Sequence, residues 1–284
     1  MGRKFNKLCL EILTICLFVL FFIPFLMVLI NAGKPSDLIT SNPLAMPENF
    51  TLFFENIKTI WTSENIQFQQ SLVNSVFITI TSLFFITIFS AMGAWVLVRT
   101  KTKMSNFIFM MFVGAMVIPF QVVMFPLVSW FRTITDFTGI PLLREYAGMI
   151  FAYIGFGAPL SIFLFHGFIK SIPVELEEAA EMDGCNKVKT FFYIVLPILK
   201  PIYVTVLILN GIWIWNDFLL PLLVLGKGND IQTIPLAVSN FVGAFIRQWD
   251  LILTSTLMAI VPIVLLFLLA QKHIIKGMVE GSVK

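Results

Sequence analysis

Five carboxylates fall within nine residues, Glu175, Glu177, Glu178, Glu181 and Asp183, in the stretch "IPVELEEAAEMDGCNKVKTFFYIVLP" that covers residues 172–197. Carboxylates this close could serve acid–base catalysis or hold a cation. Either use needs a pocket and partners, and no histidine or further acid at ligand spacing accompanies them. The alternative is a charged surface that meets water or another protein. A second polar group, Asn210, Trp213, Asn216 and Asp217, interrupts an otherwise apolar run at "WNDFLLPLL". Asn210, Trp213 and Asp217 stand at i, i+3 and i+7, one face of a helix, and an aromatic ring beside amide and carboxylate groups suits a neutral polyol. Gln121, beside Pro119, and Asn74 are weaker candidates for the same kind of cavity. His166 reads as a hydrogen-bonded interfacial residue, not a proton relay. Cys9, Cys16 and Cys185 are far apart and lack C-x-x-C spacing, so neither a disulfide framework nor a zinc site is expected.

These residues sit in a chain of 284 that is 58% hydrophobic and 12% charged, with a mean hydropathy of +0.92. Soluble domains carry roughly twice that share of charge, so the expectation is an all-α polytopic membrane protein. Backbone polar groups in a bilayer must be satisfied internally, which makes the long apolar runs helices. Six are expected: 12–33, 65–98, 104–131, 146–169, 201–226 with Asp217 inside it, and 251–271. The first run exceeds a signal-peptide core and lacks a cleavage site, so it reads as a retained span. Alternate connections carry 13 and six Lys and Arg residues, counting from the basic start at Arg3, Lys4 and Lys7. The richer set includes the acidic block, so that block and both termini are expected in the cytoplasm. Trp130 and Trp249 are expected at outer interfaces and Trp95 at an inner one. The net charge of +3 is too mild to suggest nucleic acid. The simplest division is an N-terminal tail, first span and outer connection over 1–70, a transmembrane domain over 71–271, and a cytoplasmic tail over 272–284.

The acidic block cannot lie in hydrocarbon, where each carboxylate would cost several kcal/mol. Pro173 suits a first helical turn, the following glutamates complement the positive end of the helix dipole, and Gly184 suits a left-handed stop. A helix over Pro173–Asp183 is therefore expected. Asn186 would cap a second helix from Lys187 to Leu196, on which Val188, Phe191, Phe192 and Val195 recur at helical spacing. Ala179 and Ala180 leave a bare patch between charges, a surface suited to docking against another protein's groove.

The spacing E-A-A, three residues, G, nine residues, I, one residue, L-P resembles the "EAA loop" of membrane subunits of binding-protein-dependent ABC importers. Glu178, Ala179, Ala180, Gly184, Ile194, Leu196 and Pro197 fill it, and Asp183 also matches, while Cys185 stands where alanine is usual. "WNDFLLPLL" resembles the carbohydrate-uptake branch. Within that branch, the six-span layout and the tail "EGSVK" are similar to the second permease subunit of maltose-type importers. The resemblance implies a type I importer transmembrane fold with its coupling loop at 171–200. It also implies a permease that pairs with a second, homologous permease, two cytoplasmic ATPase subunits and an extracytoplasmic solute-binding protein. Glu178, Ala179, Ala180, Asp183, Gly184, Ile194, Leu196 and Pro197 would then couple to the ATPases, and Asn210, Trp213, Asn216, Asp217 and Gln121 are candidates for the translocation path.

No G-x-x-x-x-G-K-[ST] occurs in the chain, so ATP and Mg would be bound by the ATPase partners. The expected activity is alternating-access import of a sugar, an oligosaccharide by the resemblance, across a bacterial cytoplasmic membrane. An ion-driven secondary transporter or channel would need several intramembrane acids or bases, and here only Asp217 qualifies. An intramembrane enzyme would need a nucleophile–base or metal cluster, which His166 and His273, both near inner ends, do not supply.

Overall fold

A computed structural model describes residues 2–64, 66–241 and 248–282. Arg247 and Lys284, two cations of the topological reading, and the last two residues of "EGSVK" lie outside them. The chain is helical throughout the described residues and divides into two units, residues 1–69 with 237–262 and residues 70–236 with 263–284.

In the first unit, α1 (Gly2–Ala32) has an apolar stretch from Lys7 to Ala32 that stays unburied up to its last turn, where Asn31 and Ala32 are buried, as for a helix whose solvent is lipid or another chain. It ends at a polar knot. Lys34, 2% exposed, donates from Nζ to Asn31 Oδ1 at 3.0 Å and to the carbonyls of Asn42 and Pro43 at 3.2 Å each. Three donors meet three acceptors, and a cation near a helix C-terminus opposes the dipole's negative end. Lys34 is thus a buried brace and not a solvated loop cation. The connection that follows forms α2 (Ser36–Ser41) and α3 (Thr51–Thr62). Ile60 is fully buried on α3, and Ser36 Oγ donates to Asp250 Oδ1 at 2.6 Å near the start of α14 (Trp249–Ser282). Helix α14 runs unbroken through the position where a separate tail was expected to begin.

The second unit is organised around α7 (Tyr146–Ile169), whose bounds coincide with the expected 146–169. Tyr153, Phe165, Met149 and Ile169 on it are fully buried. Against it lie α5 (Lys103–Ala115), α11 (Lys200–Asn216) and α12 (Leu219–Val224). Close approach depends on Gly157: a Cβ there would stand 2.6 Å from Ile86 Cδ1 and 2.8 Å from Asn210 Oδ1. Small residues at such crossings are how membrane helices pack without a hydrophobic drive. Ile86 comes from α4 (Phe68–Thr100), the longest element of this packing. Asn74 on α4 is a clamp, not a cavity group. It accepts from Tyr146 Oη at 2.7 Å and donates to the Gln232 carbonyl at 3.1 Å.

Two expected spans are broken. The run 104–131 is α5 followed by α6 (Phe120–Thr138), with an angle of 107° between them. Pro119 has no N–H to donate and disfavours helical backbone in the residue before it, which ends α5 and starts a new helix. The run 201–226 is α11 and then α12, interrupted at Asp217, whose backbone is extended (φ −73°, ψ 129°). The described residues contain three unbroken helices able to cross a bilayer, the Lys7–Ala32 stretch, α4 and α7, and two bent pairs that pass the same test jointly, α5 with α6 and Lys187–Ile198 with α11. The shorter apolar segment Trp249–Leu265 belongs to α14.

Candidate functional site

The acidic block folds as helix, turn and helix. Helix α8 spans Glu175–Met182, two residues shorter at its start than expected, because Pro173 and Val174 lead into it. It stops at Gly184, where φ is +85°. The Cys185 N–H reaches back to the Ala180 carbonyl at 2.9 Å and that of Gly184 to Glu181 at 3.0 Å, the paired bonds of a glycine-closed helix end. Asn186 then caps α9 (Lys187–Thr190), its Oδ1 accepting from the Lys189 amide at 2.9 Å. The second arm does not continue as a regular α-helix. Phe191–Val195 forms a π turn, α10 (Leu196–Ile198) follows, and the chain bends by 77° into α11. A widened π turn puts Phe191 and Val195 into the core while Phe192 and Tyr193 face out. Pro197 and Pro201 flank the bend, which is where missing amide donors cost least.

The carboxylates have separate fates. Glu175, Glu178, Glu181 and Asp183 are exposed, and so is Ala179. Ala180 is 6% exposed and packs inward, which corrects the expected Ala-Ala patch to a single open alanine. The cause is the helix's rotation: Glu177 and Ala180, three residues apart, share its inward face. Ile194 and Leu196 are half-buried and Pro197 is exposed, so they shape the second arm.

Glu177, which the sequence did not distinguish from its neighbours, is the most constrained acid of the block. Arg99, at the end of α4, donates to its Oε1 from Nε at 2.9 Å and from Nη2 at 2.7 Å. Trp95 Nε1 donates to Oε2 at 2.9 Å, and Arg99 Nη2 also reaches the Ile172 carbonyl at 3.1 Å. Trp95, expected at an inner interface, spends its indole N–H on Glu177 and leans its ring on Phe191, with centroids 5.5 Å apart. The available signal was an arginine among lysines at the expected end of a span, since guanidinium alone offers a planar pair of donors. Trp95, Arg99, Lys101, Val174, Glu177, Glu178, Glu181 and Lys187 border a cleft of about 380 Å³ between the end of α4 and α8.

The second polar group is only partly brought together. Asn210 is buried, its Nδ2 donating to Ser161 Oγ at 3.0 Å and the Val206 carbonyl at 2.9 Å. Asp217 lies beyond the end of α11, so the expected single helical face ends at Trp213. Its Oδ1 accepts from the amides of Leu219 at 3.0 Å and Leu220 at 3.4 Å, and its Oδ2 accepts from Tyr153 Oη at 3.2 Å. A short acidic side chain that binds nearby amides competes with the helix, which is the local reason for the break. The same Tyr153 ring meets Trp213 edge-on at 5.4 Å, so Tyr153 joins these two residues. Asn216 is exposed and folds back on the Ile212 carbonyl, and Gln121 is exposed on α6. Trp213 also borders a cavity of about 550 Å³ at the α5–α6 bend, walled by Phe120, Trp130, Phe151, Phe156 and Pro159. Trp130 stacks on Phe151 at 5.8 Å there. His166 is buried flat against Phe109 with centroids 3.6 Å apart.

Residues 87–280 match the family described as "Binding-protein-dependent transport system inner membrane component". The chain is 38% identical over 98% of its length to a Thermoanaerobacterium thermosulfurigenes protein named "Probable starch degradation products transport system permease protein AmyC", covering 97% of that protein. It is 34% identical to the melibiose/raffinose/stachyose import permease protein MelC of Bacillus subtilis, over 93% of this chain and 91% of that one. It is 32% identical to the multiple sugar-binding transport system permease protein MsmG of Streptococcus mutans, over 94% and 93%. Among solved structures, a chain of a bacterial ABC transporter involved in import of the acidic polysaccharide alginate superposes with a TM-score of 0.74, covering 94% of each chain at 18% identity, a likeness of fold.

Proposed function

This chain belongs to the binding-protein-dependent transport inner membrane family, and we propose that it is the permease subunit through which an ABC importer moves an oligosaccharide across the cytoplasmic membrane by alternating access. The observation that carries the reading is the exposed face of α8, where Glu178, Ala179 and Glu181 stand clear of the chain ahead of the Asp183–Gly184 stop. Among the described residues, no side chain bonds to those of Glu178 and Glu181. Two cytoplasmic ATPase subunits bind ATP and Mg, and α8 seats in a cleft of one of them. Glu178 and Ala179 meet the ATPase directly, while Gly184, Ile194, Leu196 and Pro197 return the chain to the bilayer. Closure of the ATPase pair draws the elbow with it, turning the path outward, and hydrolysis lets it fall back.

Six spans with both termini in the cytoplasm is the topology adopted for this reading, supported by the three unbroken helices, the two bent pairs and Trp249–Leu265. The path runs between this chain and a second, homologous permease. Trp213 and the aromatic cavity beside it offer faces on which sugar rings stack, and exposed Asn216 and Gln121 supply polar contact. Asn210 and Asp217 hold the wall from behind. An extracytoplasmic binding protein delivers the solute, and the oligosaccharide class is supported by what the named relatives carry.

The test is reconstitution of the transporter with its binding protein and ATPase subunits in proteoliposomes. Oligosaccharides that raise the binding protein's melting temperature should stimulate ATP hydrolysis and accumulate inside. Stimulation by a peptide or amino acid and by no carbohydrate would reject the substrate class.

A further inference from the structure

We propose that Arg99 and Trp95 form a clamp on Glu177 that ties the end of α4 to α8, so that displacement of α8 is passed to α4 directly through side chains and not only along the backbone of the elbow. This rests on the ATPase-docking role of α8 given above and adds the route by which motion leaves it. The backbone route alone is poorly suited to carry force. From Glu175 to α11 it passes the left-handed Gly184, a π turn and a 77° bend, each able to absorb a displacement. Coupling needs an element with a stiff connection to its neighbour.

The clamp supplies that connection. Both oxygens of one carboxylate are engaged, by two guanidinium nitrogens at 2.9 and 2.7 Å and an indole nitrogen at 2.9 Å. The guanidinium also holds the Ile172 carbonyl at 3.1 Å, so it grips the chain on both sides of Pro173. Paired charge-assisted bonds of this kind fix direction as well as distance. Side chains of the pair are 19% and 9% exposed, so water competes weakly for them. Both donors lie four residues apart on one face of α4, a 33-residue helix of which Ile78, Ile86, Ala91 and Ala94 are buried in the core. A pull on Glu177 therefore acts on a long helix packed along its length, whereas exposed Glu178 next to it remains available to the partner.

The experiment compares sugar transported per ATP hydrolysed in proteoliposomes of the complete importer carrying wild-type chain, Glu177→Gln, Arg99→Lys, or Arg99→Cys/Glu177→Cys with Cys9, Cys16 and Cys185 replaced by serine. Copurification of the ATPase subunits is measured for each. Wild-type protein that shows no sugar-stimulated hydrolysis refutes the importer reading itself, which separates that failure from failure of the clamp. Given a coupled wild type, Glu177→Gln should lower the transport-to-hydrolysis ratio at least about tenfold, and Arg99→Lys, which keeps the charge but not the paired donors, should fall between. The double-cysteine protein should be uncoupled when reduced and regain coupling when bridged by a short bis-thiosulfonate reagent. The proposal is overturned if Glu177→Gln retains the wild-type ratio. It is equally overturned if the bridged protein stays as uncoupled as the reduced one, including by loss of the ATPase subunits, because a purely positional tie is restored by any short link.

Discussion

Two of the interruptions of helical structure among the described residues, the one at Asp217 and the elbow at Asp183–Asn186, use their acids in opposite ways. At Asp217 the carboxylate is consumed internally, by the first amides of α12 and by Tyr153. In the elbow, Glu178, Glu181 and Asp183 have their carboxylates in the open, whereas Glu177 is spent on Arg99 and Trp95. An acid that ends a helix inside a span must find its partners at home, since hydrocarbon offers none. An acid on a surface helix is free to be recognised by something else. Charge in an oily sequence thus marks a joint in one place and a handle in the other.

The contrast is sharpened most by Glu178→Arg. Reversing the sign on the open face of α8 should abolish transport and weaken ATPase copurification by about tenfold or more, roughly 1.4 kcal/mol of docking energy, while the chain still inserts. Uptake and pull-down measurements check both. Retained transport would make the open face a mere solvated edge.

Arg99→Ala should come next. It strands the Glu177 carboxylate and should loosen α8 by about 3 kcal/mol, seen as hydrogen exchange of the 177–184 amides accelerated by about a hundredfold. Unchanged exchange would place the stiffness of the elbow elsewhere.

Gly157→Ala tests the packing on which the interruption at Asp217 rests. The added Cβ meets Ile86 and Asn210 at under 3 Å, so the melting free energy in detergent should fall by about 1–3 kcal/mol. A smaller loss would mean that the α7–α11 crossing yields easily.

Asp217→Asn should have the least effect. The amide oxygen still accepts from Leu219 or Tyr153, so stability should drop by less than about 1 kcal/mol, with uptake within about threefold of wild type. A tenfold loss of uptake at unchanged stability would move Asp217 from the wall into contact with the solute.

Much of this was legible in advance for a physical reason. The hydropathy pattern located the runs because apolar length is what a bilayer selects, and α7 coincides with the expected bounds. Gly184 and Asn186 were legible because a left-handed stop and an amide cap are local chemistry. The kinks at Pro119 and Asp217 were visible as residues, but their angles depend on what packs nearby, and composition carries no angle. The division of labour between Glu177 and Glu178 was hidden because it is set by the rotation of α8 against α4, 78 residues away in sequence for the Arg99–Glu177 bond. Ala180 was misread for the same reason.

The most direct test of the contrast is hydrogen exchange on the reconstituted, nucleotide-free complex, with the ATPase subunits bound and after they are stripped. Docking on the open face of α8 requires the amides of Glu175–Gly184 to exchange at least about tenfold more slowly with the subunits bound, while those of Leu219–Val224 beyond Asp217 are unchanged. Equal exchange of Glu175–Gly184 in the two states would contradict it.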